Sequence, residues 1–299
     1  MGPWCRGWPP PDLTHDVTVA LQSGRVIRLA ERPTRGLSRH MSDVTAAGLR
    51  VNYEVVGAGP AVVLLHGWGG CIAATGPIRE AIRADHTVIT IDLPGFGESE
   101  IPRGTWGSAE YGRCIAETLL AANFPHVLCA IGHSFGGKVA IHLALEGPVR
   151  VDSLMLIGTP GARLPLSEET QRRIARVKRA KRLARWLPGP ARRAIEARFA
   201  KLGSEDYRNA GPMKDILVKS VNEDIRDVLP GITVPTLLVF GANDTATPVE
   251  IGRIMESKIG GSGLVIMEKS GHFPFLDEPA AFNAVARSFL GSIRETGSK

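Results

Sequence analysis

The sequence predicts an α/β fold: a mostly parallel central sheet with helices on both faces, and a helical cap inserted late in the chain. Short apolar stretches alternate with segments of helical periodicity, which is the pattern of parallel strands joined by helices. The stretch 61–67, AVVLLHG, is almost entirely apolar, as expected for a strand covered on both faces. Between Gly158 and Pro235 about 70 residues of helical composition contain no convincing strand, too many for an ordinary connection.

The predicted elements follow one another in regular alternation. Strands are predicted at 49–57, 61–67, 87–93, 127–132, 151–158, 236–241 and 264–268. Helical patterning fills the intervals at 72–84, 108–122, 135–146, 247–258 and 279–293. We therefore expect an α/β core of residues 43–158 and 231–299, interrupted by a helical cap of residues 159–230.

The first 42 residues are predicted to be a disordered leader. They contain the run WPPP, scattered arginines and little periodicity, whereas regular patterning begins just after Met41. Met41 is therefore a candidate working start of the protein.

Composition places the chain among ordinary globular proteins, with 43% apolar and 22% charged residues. No apolar run is long enough to span a bilayer, and the N-terminus lacks the apolar region of a secretory signal. Cys5, Cys71, Cys114 and Cys129 are too dispersed to suggest a zinc site or a disulfide framework. We expect a cytoplasmic protein with no metal, no cofactor and no nucleic-acid partner, whereas its oligomeric state stays open.

One segment of the predicted cap is strongly basic. From Arg163 to Lys201 there are 13 Lys and Arg but only three acidic residues, while the whole chain carries +6. Helical spacing places Ile174, Val177, Leu183 and Leu187 on one side and Arg172, Arg173, Arg176, Arg179 and Arg182 on the other. The favoured interpretation is a solvated outer face of a cap helix. The alternative is weak contact with an anionic membrane, or with an acidic substrate.

A candidate nucleophile, Ser134, lies between the apolar stretch VLCAIG and the helical stretch KVAIHLALEG. Flanking glycines, Gly132 and Gly136, permit a sharp strand-to-helix turn that would present the serine oxygen above the sheet. The amino end of the following helix also favours developing negative charge.

A serine hydroxyl needs a base held by a carboxylate to act as a nucleophile. His272 follows the last predicted strand and Asp244 follows the strand before it, so both belong to the same sheet edge as Ser134. Asp277 and Asp227 are alternatives for the carboxylate. Asp244 is favoured because the order Ser, Asp, His is the one expected of this architecture.

Five motifs together resemble those of the α/β-hydrolase fold family, over roughly residues 44–293. They are HGWGG at 66–70, DLPGFGES at 92–99, GHSFGG at 132–137, the acid loop GAND at 241–244 and SGHFPFLDEP at 270–279. The resemblance implies a serine hydrolase of the esterase or C–C hydrolase kind, with a helical cap.

The resemblance also implies an oxyanion hole made by the backbone N–H groups of Trp68 and Phe135. His66 and Gly67 would form its supporting turn, and His133 would belong to the nucleophile elbow. His66 and His133 are predicted to be structural histidines and Lys138 to be an ordinary solvated lysine. Asp92 and Ser99 are expected to fix their own loop by hydrogen bonds to the backbone.

The predicted function is hydrolysis of carboxylic esters with small to medium, fairly apolar acyl groups through an acyl-enzyme. The alternatives are C–C bond hydrolysis of vinylogous diketones, and lactonase, thioesterase or perhydrolase activity. Dehalogenase and epoxide-hydrolase chemistry is disfavoured because those enzymes carry aspartate in place of Ser134. A different class, a ligand-sensing protein without catalysis, stays open.

Overall fold

The architecture is described from a computed structural model. It covers residues 19–20, 26–27, 40–164 and 205–297, together with the single positions 172, 175, 176, 179, 182, 186 and 189. The predictions for Cys5, for Arg173 and for the apolar side of the basic segment concern residues outside this described part.

The central sheet has eight strands in the order β12-β11-β10-β8-β5-β6-β4-β3. The strands in chain order are β1 Val19–Ala20, β2 Val26–Ile27, β3 His40–Ala46, β4 Leu49–Val56, β5 Ala61–Leu65, β6 Thr87–Ile91, β7 His126–Val127, β8 Cys129–His133, β9 Arg150–Val151, β10 Leu154–Ile157, β11 Thr236–Gly241 and β12 Gly263–Met267. All pairs from β12 to β6 are parallel, whereas β6–β4 and β4–β3 are antiparallel. The mostly parallel α/β fold is therefore confirmed, and the carboxyl ends of six strands meet at one edge.

Helices cover both faces of this sheet. They are α1 Gly76–Ile82, α2 Ser108–Ala121, α3 Phe135–Glu146, α4 Glu205–Asn209, α5 Lys214–Asn222, α6 Val249–Lys258, α7 Pro274–Asp277 and α8 Pro279–Gly297. Short 3₁₀ turns occur at Ile72–Thr75, Gly211–Met213 and Leu229–Gly231.

The core consists of two apolar layers, one on each face of the sheet. Alternate residues of β5 belong to different layers: Val63 and Leu65 pack with α2 and α3, whereas Val62 and Leu64 pack with α1 and α8. All four are fully buried. A strand buried on both faces needs no polar alternation, which explains the uniformly apolar sequence of β5.

The amino-terminal edge of the sheet differs from the predicted boundary at residue 43. Strand β3 begins at His40 and forms a hairpin with β4, in register from His40 opposite Val55 to Ala46 opposite Leu49. The two-residue turn, Ala47 and Gly48, has φ values of 49° and 71°, as a type I′ turn requires. The predicted leader also contains a paired segment, because β1 and β2 are antiparallel neighbours.

The interval between β10 and β11 contains helices and no strand among its described residues. Helices α4 and α5 lie there, and so do the helical single positions 172, 175, 176, 179, 182 and 189. Arg172, Arg176, Arg179 and Arg182 are exposed, and Trp186 is 88% exposed. The membrane role of this basic surface stays a prediction.

Candidate active site

Ser134 occupies the sharp turn between β8 and α3. Its backbone has φ 51° and ψ −117°, a conformation that a residue with a side chain adopts only when its surroundings enforce it. The Ser134 N–H donates to the Ile157 carbonyl oxygen at 2.8 Å, and the Gly137 N–H donates to the Ser134 carbonyl oxygen at 3.0 Å. The turn is thus tied both to β10 and to its own helix.

The glycines around Ser134 leave no room for side chains. A Cβ atom at Gly132 would lie 2.4 Å from the Gly136 carbonyl oxygen, and one at Gly136 would lie 2.3 Å from the Leu65 carbonyl oxygen. A Cβ atom at Gly137 would meet the Thr159 hydroxyl at 1.9 Å. Close packing of α3 against β5, β8 and β10 therefore accounts for the glycines of GHSFGG.

His272 and Asp244 form a hydrogen-bonded pair at the carboxyl ends of β12 and β11. His272 Nδ1 lies 2.7 Å from Asp244 Oδ2. The Asp244 side chain is 1% exposed, whereas that of His272 is 22% exposed. The buried member of the pair is therefore the carboxylate, and the imidazole reaches the cavity.

The Asp244 carboxylate is held by its own loop as well. Its Oδ1 accepts hydrogen bonds from the N–H groups of Ala246 at 2.8 Å and Thr247 at 2.9 Å. Its Oδ2 accepts one from the Thr247 hydroxyl at 2.5 Å. Burial by itself raises the pKa of Asp244, but the hydrogen bonds from His272 and Thr247 outweigh it, so the pKa lies below its ordinary value. The sequence analysis did not predict a role for Thr247. An Asp followed three residues later by Thr does indicate a loop in which the two side chains can hydrogen-bond.

The two rival carboxylates lie elsewhere. Asp277 Oδ2 accepts a hydrogen bond from the Gly271 N–H at 2.8 Å and so braces the turn that precedes His272. Asp227 is exposed and precedes the 3₁₀ turn Leu229–Gly231. Among the three candidates, the one whose carboxylate contacts the His272 ring is Asp244.

His133 supports the backbone of His272. Its Nε2 lies 2.9 Å from the His272 carbonyl oxygen, and because a carbonyl only accepts, the proton resides on Nε2. Burial, followed by repulsion from His272, lowers the pKa of His133 to about 3. The ring is therefore neutral at physiological pH, as expected for a structural histidine.

His66 fixes the turn that follows β5. Its Nε2 accepts the Leu93 N–H at 3.0 Å, so its proton is on Nδ1, which donates to the Gly67 carbonyl oxygen at 2.8 Å. The Gly70 N–H donates to the same oxygen at 3.1 Å. In a planar trans peptide the C=O and N–H groups point in opposite directions, so these bonds also fix the direction of the Trp68 N–H. Burial lowers the pKa of His66, so the ring stays neutral, with one nitrogen that donates and one that accepts.

The turn at residues 66–70 lies against Ser134. A Cβ atom at Gly67 would lie 3.2 Å from Ser134 Cβ and 3.0 Å from His133 Nδ1. Phe135 is the first residue of α3, so its N–H is one of the amide donors that a helix leaves unpaired. The Trp68 and Phe135 rings meet edge to face with centroids 5.6 Å apart, and both line the cavity.

The loop after β6 is organised by Asp92, as predicted. Its carboxylate accepts hydrogen bonds from Asn52 Nδ2 at 2.8 Å, the Ile72 N–H at 2.7 Å and the Glu98 N–H at 3.0 Å. The Ser99 hydroxyl donates to the Asp92 carbonyl oxygen at 2.6 Å. Asp92 and Ser99 therefore shape the loop that carries Leu93, the residue bonded to His66.

A cavity of about 770 Å³ lies between the sheet edge and the region predicted to be the cap. Ser134, His272, Trp68 and Phe135 all line it. Apolar side chains form much of the remaining wall: Ala74, Ala162, Leu164, Leu217, Val221, Ile251, Phe273, Phe275 and Leu276. Such a volume and lining suit a small to medium apolar ligand.

Lys138 departs from the sequence prediction. It was expected to be a solvated lysine of α3, yet only 2% of it is exposed. The reason is tertiary: Ser220 and Glu223, at the end of α5, accept its hydrogen bonds. Lys138 lines the cavity one helical turn beyond Ser134.

Comparison with known proteins shows the family to which the chain belongs. The sequence pattern of the "Alpha/beta hydrolase family" matches residues 62–285. This chain belongs to the α/β-hydrolase family.

Relatives of this α/β hydrolase include enzymes that cleave esters. The pimeloyl-[acyl-carrier protein] methyl ester esterase of Aeromonas salmonicida is 30% identical over 261 residues, which cover 81% of this chain and 100% of that protein. An esterase from Exiguobacterium antarcticum has a TM-score of 0.64 at 25% identity, covering 84% of this chain and 99% of that one. A membrane phospholipase A, a bacterial virulence factor, has a TM-score of 0.67 at 25% identity, covering 87% of each chain.

The described part of this hydrolase also bears on membrane spanning and on metal binding. None of its described helices combines the length and apolarity needed to cross a bilayer. Within the same residues, no group of three or more His, Cys, Asp or Glu side chains is arranged to hold a metal ion. Cys71, Cys114 and Cys129 are buried free thiols, and burial raises the pKa of both Cys114 and Cys129 to about 12.

Proposed function

We propose that this α/β hydrolase is a serine hydrolase that cleaves carboxylic esters of small to medium, apolar acyl groups. The observation that carries the proposal is the 2.7 Å hydrogen bond between His272 Nδ1 and Asp244 Oδ2, in a site where His272 and the strained Ser134 line one cavity. The ester-cleaving relatives support the same reaction class.

In the proposed acylation step, His272 Nε2 removes the proton of the Ser134 hydroxyl as its oxygen attacks the ester carbonyl. Asp244 holds the imidazolium that forms. The developing oxyanion is stabilised by the backbone N–H groups of Trp68 and Phe135. The imidazolium then gives its proton to the departing alcohol, which leaves an ester between Ser134 and the acyl group.

Deacylation repeats the sequence with water. His272 removes a proton from the water that attacks the acyl-enzyme, and returns it to Ser134 Oγ as the carboxylic acid leaves. The low pKa of Asp244 keeps its carboxylate charged throughout, so it stabilises the imidazolium in both steps. The apolar wall and the cap would limit water to the attacking molecule.

The test is a p-nitrophenyl ester series of increasing acyl length, combined with labelling by a fluorophosphonate. We expect a Ser134 adduct, turnover with a maximum at short to medium acyl chains, and loss of both in the Ser134→Ala variant. Ser257→Ala is the matched control, because Ser257 is an exposed serine of α6 whose hydroxyl bonds only within its helix.

Two outcomes would redirect the proposal. Turnover of a vinylogous diketone in preference to every ester would identify C–C bond hydrolysis at the same residues. Absence of a Ser134 adduct in the folded wild-type protein would contradict the enzyme assignment and favour a ligand-sensing role.

A further inference from the structure

Lys138 is a buried cation beside the proposed nucleophile. It lies in the first turn of α3, four residues after Ser134, and 2% of it is exposed. Lysine is almost never buried to this degree without partners, because removing an ammonium group from water is costly. Its surroundings therefore have to supply compensating polar contacts.

Those contacts all come from the end of cap helix α5. Lys138 Nζ donates to the carbonyl oxygens of Ser220 and Glu223, each at 2.9 Å. Its Nζ also lies 3.9 Å from Glu223 Oε2. Ser220 is in the last turn of α5 and Glu223 is its C-cap, so these carbonyls include those that a helix cannot pair internally. The negative end of the helix dipole adds to the attraction for a cation.

A second cation meets the same helix end. Arg163 Nη1 donates to the Asn222 carbonyl oxygen and its Nη2 to Asn222 Oδ1, both at 3.2 Å. Arg163 follows β10 at the start of the predicted cap, whereas Lys138 belongs to α3, so two separate segments of the chain hold the end of α5. The Glu223 carboxylate adds a third connection by accepting the Ser108 N–H at 3.1 Å.

Helix α5, which Lys138 and Arg163 contact at its end, forms part of the cavity wall. Leu217, Ser220, Val221 and Glu223 of this region line the cavity, together with Ser134 and His272. Because Lys138 and Phe135 share the first turn of α3, the contact to Ser220 and Glu223 joins that wall to the helix that carries the proposed oxyanion donor. The position of the wall relative to Ser134 therefore depends on Lys138.

The same contacts argue against a role for Lys138 in binding an anionic ligand. Two of its donors are directed to main-chain carbonyls, and the nearest carboxylate is that of Glu223. Burial lowers the pKa of Lys138, whereas the charges of Glu223 and Asp224 oppose that shift. The positive charge of Lys138 is therefore already paired with polar groups at the end of α5.

We propose that Lys138, together with Arg163, is a positioning residue that sets substrate chain-length specificity by holding the end of α5 as the cap-side wall of the cavity. This inference rests on the proposed esterase function and adds a determinant of specificity to it.

The experiment compares Lys138→Met, Lys138→Arg and the wild type on p-nitrophenyl acetate and on the longest ester that the wild type hydrolyses well. Methionine keeps most of the side-chain volume and removes the donors. We expect KM for the longer ester to rise about tenfold, which corresponds to about 1.4 kcal/mol of binding free energy. The kcat and KM for acetate, which has the shortest acyl chain of the series, should change less than those for the longer ester. Lys138→Arg should restore part of the selectivity, because it retains a cation and donors.

Arg163→Gln provides an independent variant, because Arg163 is exposed and its replacement should fold. It should change selectivity in the same direction by about threefold, and its effect should be non-additive with Lys138→Met. Lys214→Met is the matched control, since Lys214 is an exposed lysine at the opposite end of α5, above the Tyr207 ring at 4.2 Å.

Equal losses on acetate and on the longer ester would overturn the proposal, as would a lower melting temperature with an unchanged selectivity. If Lys138→Met does not fold, an unchanged selectivity in Arg163→Gln would also overturn it. Fluorophosphonate labelling of Ser134 in the wild type separates these results from failure of the esterase assignment, because that assignment fails if no adduct forms.

Discussion

The imidazole of His133 holds the main chain of His272: its Nε2 donates to the His272 carbonyl oxygen at 2.9 Å, and the two rings lie 4.8 Å apart. The residue before the proposed nucleophile thus supports the residue proposed as base. Burial and the neighbouring His272 ring favour the neutral form of His133, whereas the hydrogen bond to the His272 carbonyl opposes that shift of its pKa.

Stability should therefore fall in acid through His133. Its pKa of about 3 in the folded protein lies below the ordinary value of 6.5, so between these values the unfolded chain binds more protons. The contribution is fully present above pH 6.5 and is lost as pH falls toward 3. Between pH 7.5 and pH 5 the wild type should lose about 2 kcal/mol more than His133→Gln, measured by urea unfolding at both values. Equal losses in the two proteins would contradict this role.

Thr247→Val should weaken catalysis without a large loss of stability. The change removes the hydroxyl that donates to Asp244 Oδ2 at 2.5 Å but preserves the side-chain shape. The carboxylate then loses one of the hydrogen bonds that lower its pKa and orient it. We expect kcat/KM to fall about tenfold, or about 1.4 kcal/mol. Thr233→Val, at an exposed position before β11, is the control and should retain full activity.

Replacing His66 should weaken the turn that carries the proposed oxyanion donor, the Trp68 N–H. His66→Ala removes both the donor to the Gly67 carbonyl oxygen and the acceptor of the Leu93 N–H. The Gly67 carbonyl then keeps the Gly70 N–H but loses the imidazole donor, so the Trp68 N–H is directed less firmly and kcat should fall by up to about 100-fold, as for loss of one oxyanion donor. His66→Asn keeps a donor near the position of Nδ1 and should be less impaired. Equal kcat values for the two variants would argue against this explanation.

Two helical glycines should respond in opposite ways to alanine. At Gly136 a Cβ atom would lie 2.3 Å from the Leu65 carbonyl oxygen, so Gly136→Ala should lower the free energy of unfolding by about 3 kcal/mol. At Gly291, an exposed position of α8, a Cβ atom would meet nothing within 4 Å. Gly291→Ala should therefore raise stability by about 0.5–1 kcal/mol. Thermal and urea unfolding of both variants measures the contrast.

The basic surface of the cap should bind anionic vesicles if the sequence-based alternative is right. Arg172, Arg176, Arg179 and Arg182 are exposed, as is Trp186. Each arginine near an anionic surface contributes about 1 kcal/mol, and tryptophan prefers the bilayer interface. Co-sedimentation with phosphatidylglycerol vesicles should fall as salt rises and should weaken in Trp186→Ala. Binding that is insensitive to salt, or equal on neutral vesicles, would leave the solvated-face interpretation in place.

Local patterns in the sequence predicted most of the sheet. The apolar runs of β5 and β11 and the glycines around Ser134 are short-range signals, because burial on both faces and a tight turn each constrain adjacent residues. Strand β3 was missed because it is an edge strand with polar residues, and its pairing with β4 is what makes it a strand. The order of motifs also predicted Ser134, Asp244 and His272 as candidates.

Only the tertiary structure decided which distant groups meet. Sequence spacing could rank Asp244 above Asp277 but could not show that its carboxylate contacts the His272 ring and the Thr247 hydroxyl. It also predicted a solvated Lys138, because nothing local to α3 indicates that the end of α5, more than 80 residues later, covers it. Periodicity reports which face of an element is buried, whereas hydrogen-bond partners depend on which elements the fold brings together.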